Sequence, residues 1–387
     1  MKISSLTFHV LHVSGKTNWS FIRVETVSGL IGWGECSLNG WETLQREYCL
    51  RFAAEVTGTP IVSVADAEAV AALHLHSPGG LVEHSVKSAT EQALLDLLAQ
   101  HQAMPLWQLL GAAQRSSVAV YANINRATQP RTPAGFAASA INAVGSGFRA
   151  VKLAPFDGVL PTNAETADGA QMIDAALARI RSVREAVGFD VKVMVDCHWR
   201  LTLKTSRYVL DALREVKLHW LECPISEHAK CHTEIRAVRD YANALGVRLA
   251  GAEMQSEVEG FRPFIEGGLY DTIMPDVKYC GGVGPLLRIN ELAAKHNVQT
   301  APHNPTGPVC SLASLHACIV GDGCDFLELQ VGESELFTTV VHGASARIID
   351  GHFAAPHSSG IGAALDTSVL AANPYLPVAG GLDPSLG

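Results

Sequence analysis

From Ser116 onward the chain repeats one grammar eight times, a short apolar or β-branched run followed by residues with helical periodicity. The runs are SVAVYANI, RAVKLAP, DVKVMVDCH, LHWLECP, VRLAGAE, YDTIMPD, VQTAPH and DFLELQ, separated by segments such as AQMIDAALARIRSVREAVG and GPLLRINELAAKHN. Eight strands alternating with helices is the sequence form of an α/β protein of the (β/α)8 TIM-barrel type. A doubly wound sheet would use fewer strands and a glycine-rich first turn, and no such turn follows the first run.

A barrel needs about 250 residues, so a chain of 387 has room for one smaller domain. Residues 1–115 supply it. ISSLTFHVLHV and SFIRVETVSGLIGWGEC alternate as antiparallel strands do, with Ser28-Gly29 as a turn, and from about Thr43 to Gly111 the period becomes helical. The barrel is expected over 116–335. Residues 336–387 carry ARIIDGHFAAPHSSGIGAAL, a strand-turn pattern that cannot be a ninth barrel unit, and are expected to return to this α+β capping domain. Hydrophobic residues at 48% against 17% charged describe a globular chain rather than a disordered one. The net charge of −9, with dispersed acidic residues, provides no electrostatic footprint for nucleic acid. Nine cysteines without CxxC spacing suit reduced thiols in the cytoplasm, and the absence of an h-region or an 18-residue apolar run indicates neither export nor a membrane.

Active sites of such barrels lie at the C-terminal ends of the strands. Here those ends carry Lys152, Asp196 with His198, Glu222, Glu253, Asp276 with Lys278 just beyond, His303 and Glu328. One polar residue closing a strand is ordinarily a loop entry or a helix cap. Seven strands in succession are not explained that way. Asp196, Glu222 and Glu253 end three consecutive strands and would repel unless a divalent cation neutralised them. An all-oxygen set selects a hard ion, Mg²⁺. Zinc would want His or Cys, and strand alternation turns Cys197 and Cys223 to the opposite face.

With GLIGWGEC and ALLDLLAQHQAMPLWQLLG before the barrel, MPDVKYCGG and TAPHNPTGPV within it, and a closing C-terminal strand, the chain resembles the enolase superfamily and its mandelate racemase subgroup over nearly its whole length. The resemblance implies metal ligands at Asp196, Glu222 and Glu253, an Asp276–His303 dyad, a strand-eight acid at Glu328, and α-proton abstraction with Mg²⁺ stabilising an enediolate. His303 would be the base and Asp276 would fix its tautomer. Glu328 would donate to an enolate oxygen if its environment raises its pKa, the alternative being a salt bridge to a barrel lysine. Many relatives carry Lys-x-Lys on strand two; here the run is Lys152-Leu153-Ala154, so the second base of a two-base racemase is missing. Lys152 would position or neutralise the substrate carboxylate.

Asp196-Cys197-His198 resembles the strand-three signature of the galactonate and mannonate dehydratases, in which the His protonates the departing hydroxyl. Alternatively, His198 hydrogen-bonds a metal ligand or caps its loop. The reading is an acid-sugar dehydratase giving a 2-keto-3-deoxy acid. The alternatives are a cycloisomerase or racemase of a sugar acid or its lactone, and a non-catalytic ligand-binding barrel. Substrate contacts are expected from Lys152 and Lys278, and from Asn18, Trp19 and Trp41 in the loops Ser14 to Trp19 and Ser37 to Trp41. The family's habits imply a homo-oligomer whose partner is a small-molecule carboxylate.

Overall fold

The computed structural model describes residues 1–73, 80–343 and 348–378. Parts of the helical layer (74–79) and of the C-terminal segment (344–347 and 379–387) therefore lie outside the described residues.

The N-terminal strands β1 (Ile3–Ser14), β2 (Thr17–Thr26) and β3 (Ile31–Glu35) form an antiparallel sheet in chain order. The β2–β3 turn closes at Gly29, whose φ of 85° is the left-handed conformation that glycine adopts without penalty. Helices α1 (Glu42–Val56), α2 (Val64–Ala72) and α3 (Leu81–His101) follow, and Pro105 separates α3 from the short α4 (Leu106–Leu110). Helix α3 is buried along nearly all its length because it lies between the sheet and the barrel. Its approach to β3 requires glycine. A Cβ on Gly34 would stand 1.8 Å from the carbonyl oxygen of Ala89, and one on Gly32 would stand 2.2 Å from that of Ala93.

The eight expected barrel strands are all present: β4 (Ser117–Asn123), β5 (Ala150–Leu153), β6 (Lys192–Asp196), β7 (Trp220–Glu222), β8 (Arg248–Gly251), β9 (Thr272–Ile273), β10 (Gln299–Thr300) and β11 (Leu327–Gln330). They pair in parallel from β4 through β10, and β11 pairs with β4. A bridge between Thr300 and Cys324 closes the ring. Seven helices, α5 to α11, connect them, from Pro133–Gly145 to Pro308–Val320. The eighth position holds only α12 (Leu336–Thr339), so the barrel is (β/α)7β with one added turn rather than eight full units.

Tyr121, Ala150, Met194, Trp220, Ala250, Met274, Ala301 and Phe326, one from each strand or its immediate continuation, form an apolar cluster of their own. Large and small side chains are mixed around the ring, as the filling of a barrel interior requires. Side chains two residues further along point to the same side. Those positions are Asn123, Lys152, Asp196, Glu222, Ala252, Asp276, His303 and Glu328, so the polar ring stands on the apolar plug. Strand five departs by one residue. Ala252 has a φ of 69°, and Glu253 follows that turn.

The C-terminal segment behaves differently from the simple return expected of it. Strands β12 (Val341–Gly343) and β15 (Ala363–Leu365) pair with each other, while β13 (Ile348–Ile349) and β14 (His352–Ala354) form a hairpin added antiparallel to β4. The reason lies in β4. Its partners β5 and β11 begin at Ala122 and Val120, which leaves Ser117 to Ala119 as an open edge for β14 to cover. Beyond the hairpin, the chain does reach the N-terminal layer, where Ile361 N–H donates to Asp96 Oδ1 (2.8 Å) and His12 N–H to the Asn373 carbonyl (3.0 Å). All nine cysteines are unpaired, and among the described residues no helix is long and apolar enough to cross a membrane.

Because the Gly34 contact is with backbone rather than a movable side chain, Gly34→Ala is expected to lower stability by about 1–3 kcal/mol, the usual cost of overpacking. Denaturant unfolding should show the midpoint fall; an unchanged midpoint would mean that α3 and β3 are not packed as described.

Candidate active site

The polar ring opens into a cavity of about 570 Å³ whose wall includes Lys152, Asp196, His198, Glu253, Lys278 and His303. The cavity lies between the strand ends and the hairpin tip around Lys16 and Thr17. Glu222, Asp276 and Glu328 lie beneath it, fully buried.

On one side His303 Nδ1 is 2.9 Å from Asp276 Oδ2, and Nε2 is 3.6 Å from Glu253 Oε2. Burial alone would raise the Asp276 carboxyl, but Lys278 and then His303 hold it below its ordinary value. Lys278 donates to Asp276 twice, from Nζ to Oδ2 and from its backbone N–H to Oδ1, both at 2.8 Å. An ionised Asp276 therefore accepts the Nδ1 proton and leaves Nε2 as the free basic nitrogen.

Near the centre, Lys152 Nζ lies 2.6 Å from Glu222 Oε1 and 3.0 Å from Glu328 Oε1. It also sits 5.2 Å from the centroid of the Tyr121 ring in the plug below. Glu328 accepts further bonds from Asn123 Nδ2 (2.7 Å) and Asn304 N–H (2.9 Å). Burial, the largest influence, pushes the Glu328 carboxyl upward, but Lys152, His303 and the Asn304 N–H together hold it below its ordinary value. The environment that would make Glu328 a proton donor is thus absent, and the salt-bridge alternative is the arrangement present. Glu222 has both oxygens engaged, the second by Trp220 Nε1 at 2.9 Å, yet burial still drives its pKa well up.

On the far side His198 Nε2 lies 2.8 Å from Asp196 Oδ2, and the His198 N–H bonds Oδ1 of the same carboxylate. Despite burial, His198 brings the Asp196 carboxyl down to about 2, and Asp196 raises the His198 pKa in return. Left-handed backbone recurs at these strand ends, at His198 (φ 46°), Trp199 (56°), Cys223 (41°) and Ala252 (69°). Strain of roughly 1–2 kcal/mol per non-glycine residue is characteristic of sites where geometry is imposed by the surroundings.

Two lysines, Lys152 and Lys278, are paired with the five carboxylates Asp196, Glu222, Glu253, Asp276 and Glu328, so lysine leaves three of the five charges uncovered, with His198 beside Asp196 and His303 beside Asp276 and Glu253. Burial, then the charge of Asp196, pushes the Glu253 carboxyl up to about 8, and its buried Oε2 has no hydrogen-bond donor. Among the described residues no three such groups already stand as a coordination set. The surplus charge, the all-oxygen donors and the orphaned Glu253 oxygen nonetheless suit a hard divalent cation between Asp196 and Glu253, with Glu222 the third donor if it exchanges a partner.

Some expected contacts are elsewhere. Trp41 precedes α1 and does not line the cavity; its N–H is tied to the Leu38 carbonyl. Asn18 lines the cavity, but its side chain is spent on Glu42, the Leu376 carbonyl and His12, so it holds the hairpin rather than offering a free amide. Trp19 lines the wall, edge-on to Phe337. Sequence reasoning missed Asn125, Arg126, Arg200 and Tyr279 on the wall. It also missed Glu35, which accepts from Thr306 Oγ1 (2.6 Å) and from the N–H groups of Gly307 (2.7 Å) and Cys310 (2.9 Å). Glu35 thereby caps the helix that follows His303. The one signal for it was the acid closing the third N-terminal strand.

Two family models match the chain, the mandelate racemase/muconate lactonizing enzyme N-terminal domain over residues 7–111 and the enolase C-terminal domain-like model over 135–369. The chain belongs to the mandelate racemase/muconate lactonizing enzyme family of the enolase superfamily. Among curated relatives it is similar to D-galactonate dehydratases of Xanthomonas euvesicatoria (26% identical, 96% of this chain and 94% of the relative) and Klebsiella pneumoniae (27%, 95% and 92%). Among solved structures, a protein from Mesorhizobium loti described as a candidate dehydratase superposes with a TM-score of 0.85 at 22% identity, covering 97% of this chain and 99% of its own. A Burkholderia xenovorans protein described as a candidate L-alanine-DL-glutamate epimerase, solved with magnesium and fumarate, superposes at 0.84 and 20% identity over 98% and 97%. At these identities the structures speak to the fold.

Replacing Lys152 with Met would leave Glu222 and Glu328 buried without their shared counter-charge. A loss of about 3–5 kcal/mol is expected, the range for breaking a buried ion pair from one side, and adding Glu328→Gln should restore part of it. Chemical denaturation of the two variants measures this. A Lys152→Met protein as stable as the parent would show that the ammonium is not the structural counter-ion.

Proposed function

We propose that the protein is a Mg²⁺-dependent acid-sugar dehydratase. The observation that carries the reading is the His303–Asp276 pair at 2.9 Å, with the second imidazole nitrogen beside Glu253 and a second histidine, His198, on the same cavity. The full-length similarity to D-galactonate dehydratases supports elimination over other α-proton chemistry.

Asp196, Glu222 and Glu253 would hold the metal, which when bound supplies charge stabilisation to the substrate carboxylate. His303 Nε2 removes the proton next to that carboxylate, and the Asp276 carboxylate stabilises the imidazolium that results. His198 then delivers a proton to the hydroxyl on the neighbouring carbon, and the C–O bond breaks with water as the leaving group. The resulting enol tautomerises to a 2-keto-3-deoxy acid. Lys152 and Lys278 are each locked to buried carboxylates, which leaves them poorly suited to act as a second base on the other face. That weighs against a two-base racemase.

Incubating the protein with a panel of acid sugars and Mg²⁺ should give 2-keto acid product with one or a few of them, and chelation should remove the activity until Mg²⁺ is returned. Full turnover after exhaustive chelation would end the metal assignment. His303→Asn is expected to abolish both water loss and solvent-deuterium exchange at the α-carbon, because general-base catalysis contributes about 10²–10⁴-fold. His198→Asn should slow water loss far more than exchange. Undiminished water loss in His198→Asn would shift the reading to a cycloisomerase or racemase.

A further inference from the structure

A second cavity of about 300 Å³ shares Lys16, Asn125, Arg126, Asp196, His198 and Arg200 with the first. It adjoins the reaction centre at Asp196 and His198 and extends from there past Arg131, Ala154, Phe156, Asp157 and Cys197, touching neither His303 nor Glu253. Ala154, the residue just past strand two, contributes only a methyl group to this wall.

The charges here are uneven. Arg131 is spent, with Nε and Nη2 on Asp157 at 2.8 and 2.9 Å and further bonds to the Asn125 and Ala154 carbonyls. Asp157 is in turn neutralised by Arg131 and Arg179. Among the described residues Lys16 and Arg200 have no ion pair, and Arg126, paired with Glu333, keeps donors unspent. Arg126 uses only Nη1, on Glu333 Oε2 at 3.0 Å, and Arg200 uses only Nη1, on the carbonyls of Phe156 and Val159 at 3.2 Å. Among the described residues Nε and Nη2 of both guanidinium groups have no hydrogen-bond partner, and Lys16 has no ion pair. Each arginine is thus anchored by one nitrogen while the rest of its planar fork is unspent. That fork matches a carboxylate or phosphate through paired donors, whereas a terminal hydroxyl accepts from only one.

We propose that the substrate carries a second anionic group, a carboxylate or a phosphate ester, at the end remote from the reacting carboxylate, bound by Arg126, Arg200 and Lys16. This rests on the acid-sugar reading above and narrows its substrate class. It separates this chain from relatives named for a monocarboxylate. Glu333 serves the same purpose from behind. It accepts from Ser14 Oγ (2.9 Å) and Thr17 Oγ1 as well as from Arg126, so one carboxylate fixes both the arginine and the hairpin that carries Lys16.

The test uses the His303→Asn protein with Mg²⁺, so that binding is read without turnover. Calorimetry compares matched sugar acids of one configuration: the monocarboxylate, the dicarboxylate, and the monocarboxylate with a terminal phosphate ester. The dicarboxylate or the phosphate ester should bind about tenfold or more tightly than the monocarboxylate, as one charge-assisted hydrogen bond provides, and whichever binds tighter identifies the anion. Arg200→Gln and Arg126→Gln should each collapse that ratio toward one, in proteins shown by cooperative unfolding to be folded. Equal affinities for all three acids, no binding of any, or a preference that survives both substitutions overturns the proposal. Solvent-deuterium exchange by the unsubstituted protein separates the two readings. A distal-anion preference without exchange or water loss keeps this inference and removes the dehydratase; turnover without the preference does the reverse.

Discussion

Like charge buried inside a closed barrel is the constraint around which the structure is organised. Inward-facing positions recur every second residue along a strand, so once the plug from Tyr121 to Phe326 fills one layer, the next layer must hold whatever stands two residues on. In this chain half of that layer is acidic and Glu253 joins it one residue on, and five buried carboxylates cannot stay ionised together without counter-charge. Lys152 meets the need on one side by bridging Glu222 and Glu328 over the face of Tyr121, and Lys278 meets it on the other at Asp276. Asp196 and Glu253 both stand at the cavity wall without a lysine ion pair; His198 compensates Asp196, whereas the Glu253 carboxyl is pushed up to about 8.

The capping layer takes part in this arrangement. Glu35 ends β3 yet satisfies the backbone at the start of the helix after His303, and Asn304 N–H in the same loop bonds Glu328. Displacing the N-terminal sheet would therefore release the N-terminus of that helix and loosen the loop that aims the imidazole. Glu333 ties the barrel to the β1–β2 hairpin from the opposite direction. The buried glycine contacts between β3 and α3 fix the height of the sheet above the barrel, so the layer that shapes the mouth also holds part of the reacting machinery in register.

Much of this was legible in the sequence because it follows from period and position. Seven successive runs ending in polar residues dictate a ring of polar side chains whatever the loops do, and Asp276 beside His303 follows from adjacent strands. What the sequence did not reveal depends on side-chain reach. Lys152 and Glu328 stand on strands flanking β4, and nothing in their spacing says that one ammonium spans both Glu222 and Glu328. Arg126 and Arg200 lie in loops whose course is set by tertiary contacts, with no periodicity to read. Loop position makes Trp41 and Asn18 read as mouth residues; Trp41 is off the cavity at the entry to α1, and Asn18 reaches the wall but its side chain is taken by His12, Glu42 and the Leu376 carbonyl. The missing eighth helix was invisible for a related reason: β14 covers the edge of β4 from a segment that the repeat does not predict.

The activity of this fold resides in its side chains. Candidate dehydratases and a candidate epimerase superpose on this chain equally well, so the backbone does not discriminate between removing a proton and restoring it, and removing a proton and then expelling water. The first needs a proton carrier on each face of the substrate; the second needs one base and an acid near the departing oxygen. Here the residue at the end of strand two is Ala154, and the nearest lysines are held by buried carboxylates. The second imidazole is instead His198, 42% exposed at its side chain and lining both cavities. Ala154 carries no titratable group and lines the smaller cavity together with His198. Under the proposed reading, this one strand end bears both on which proton carriers reach the substrate and on which end of the substrate fits beside His198.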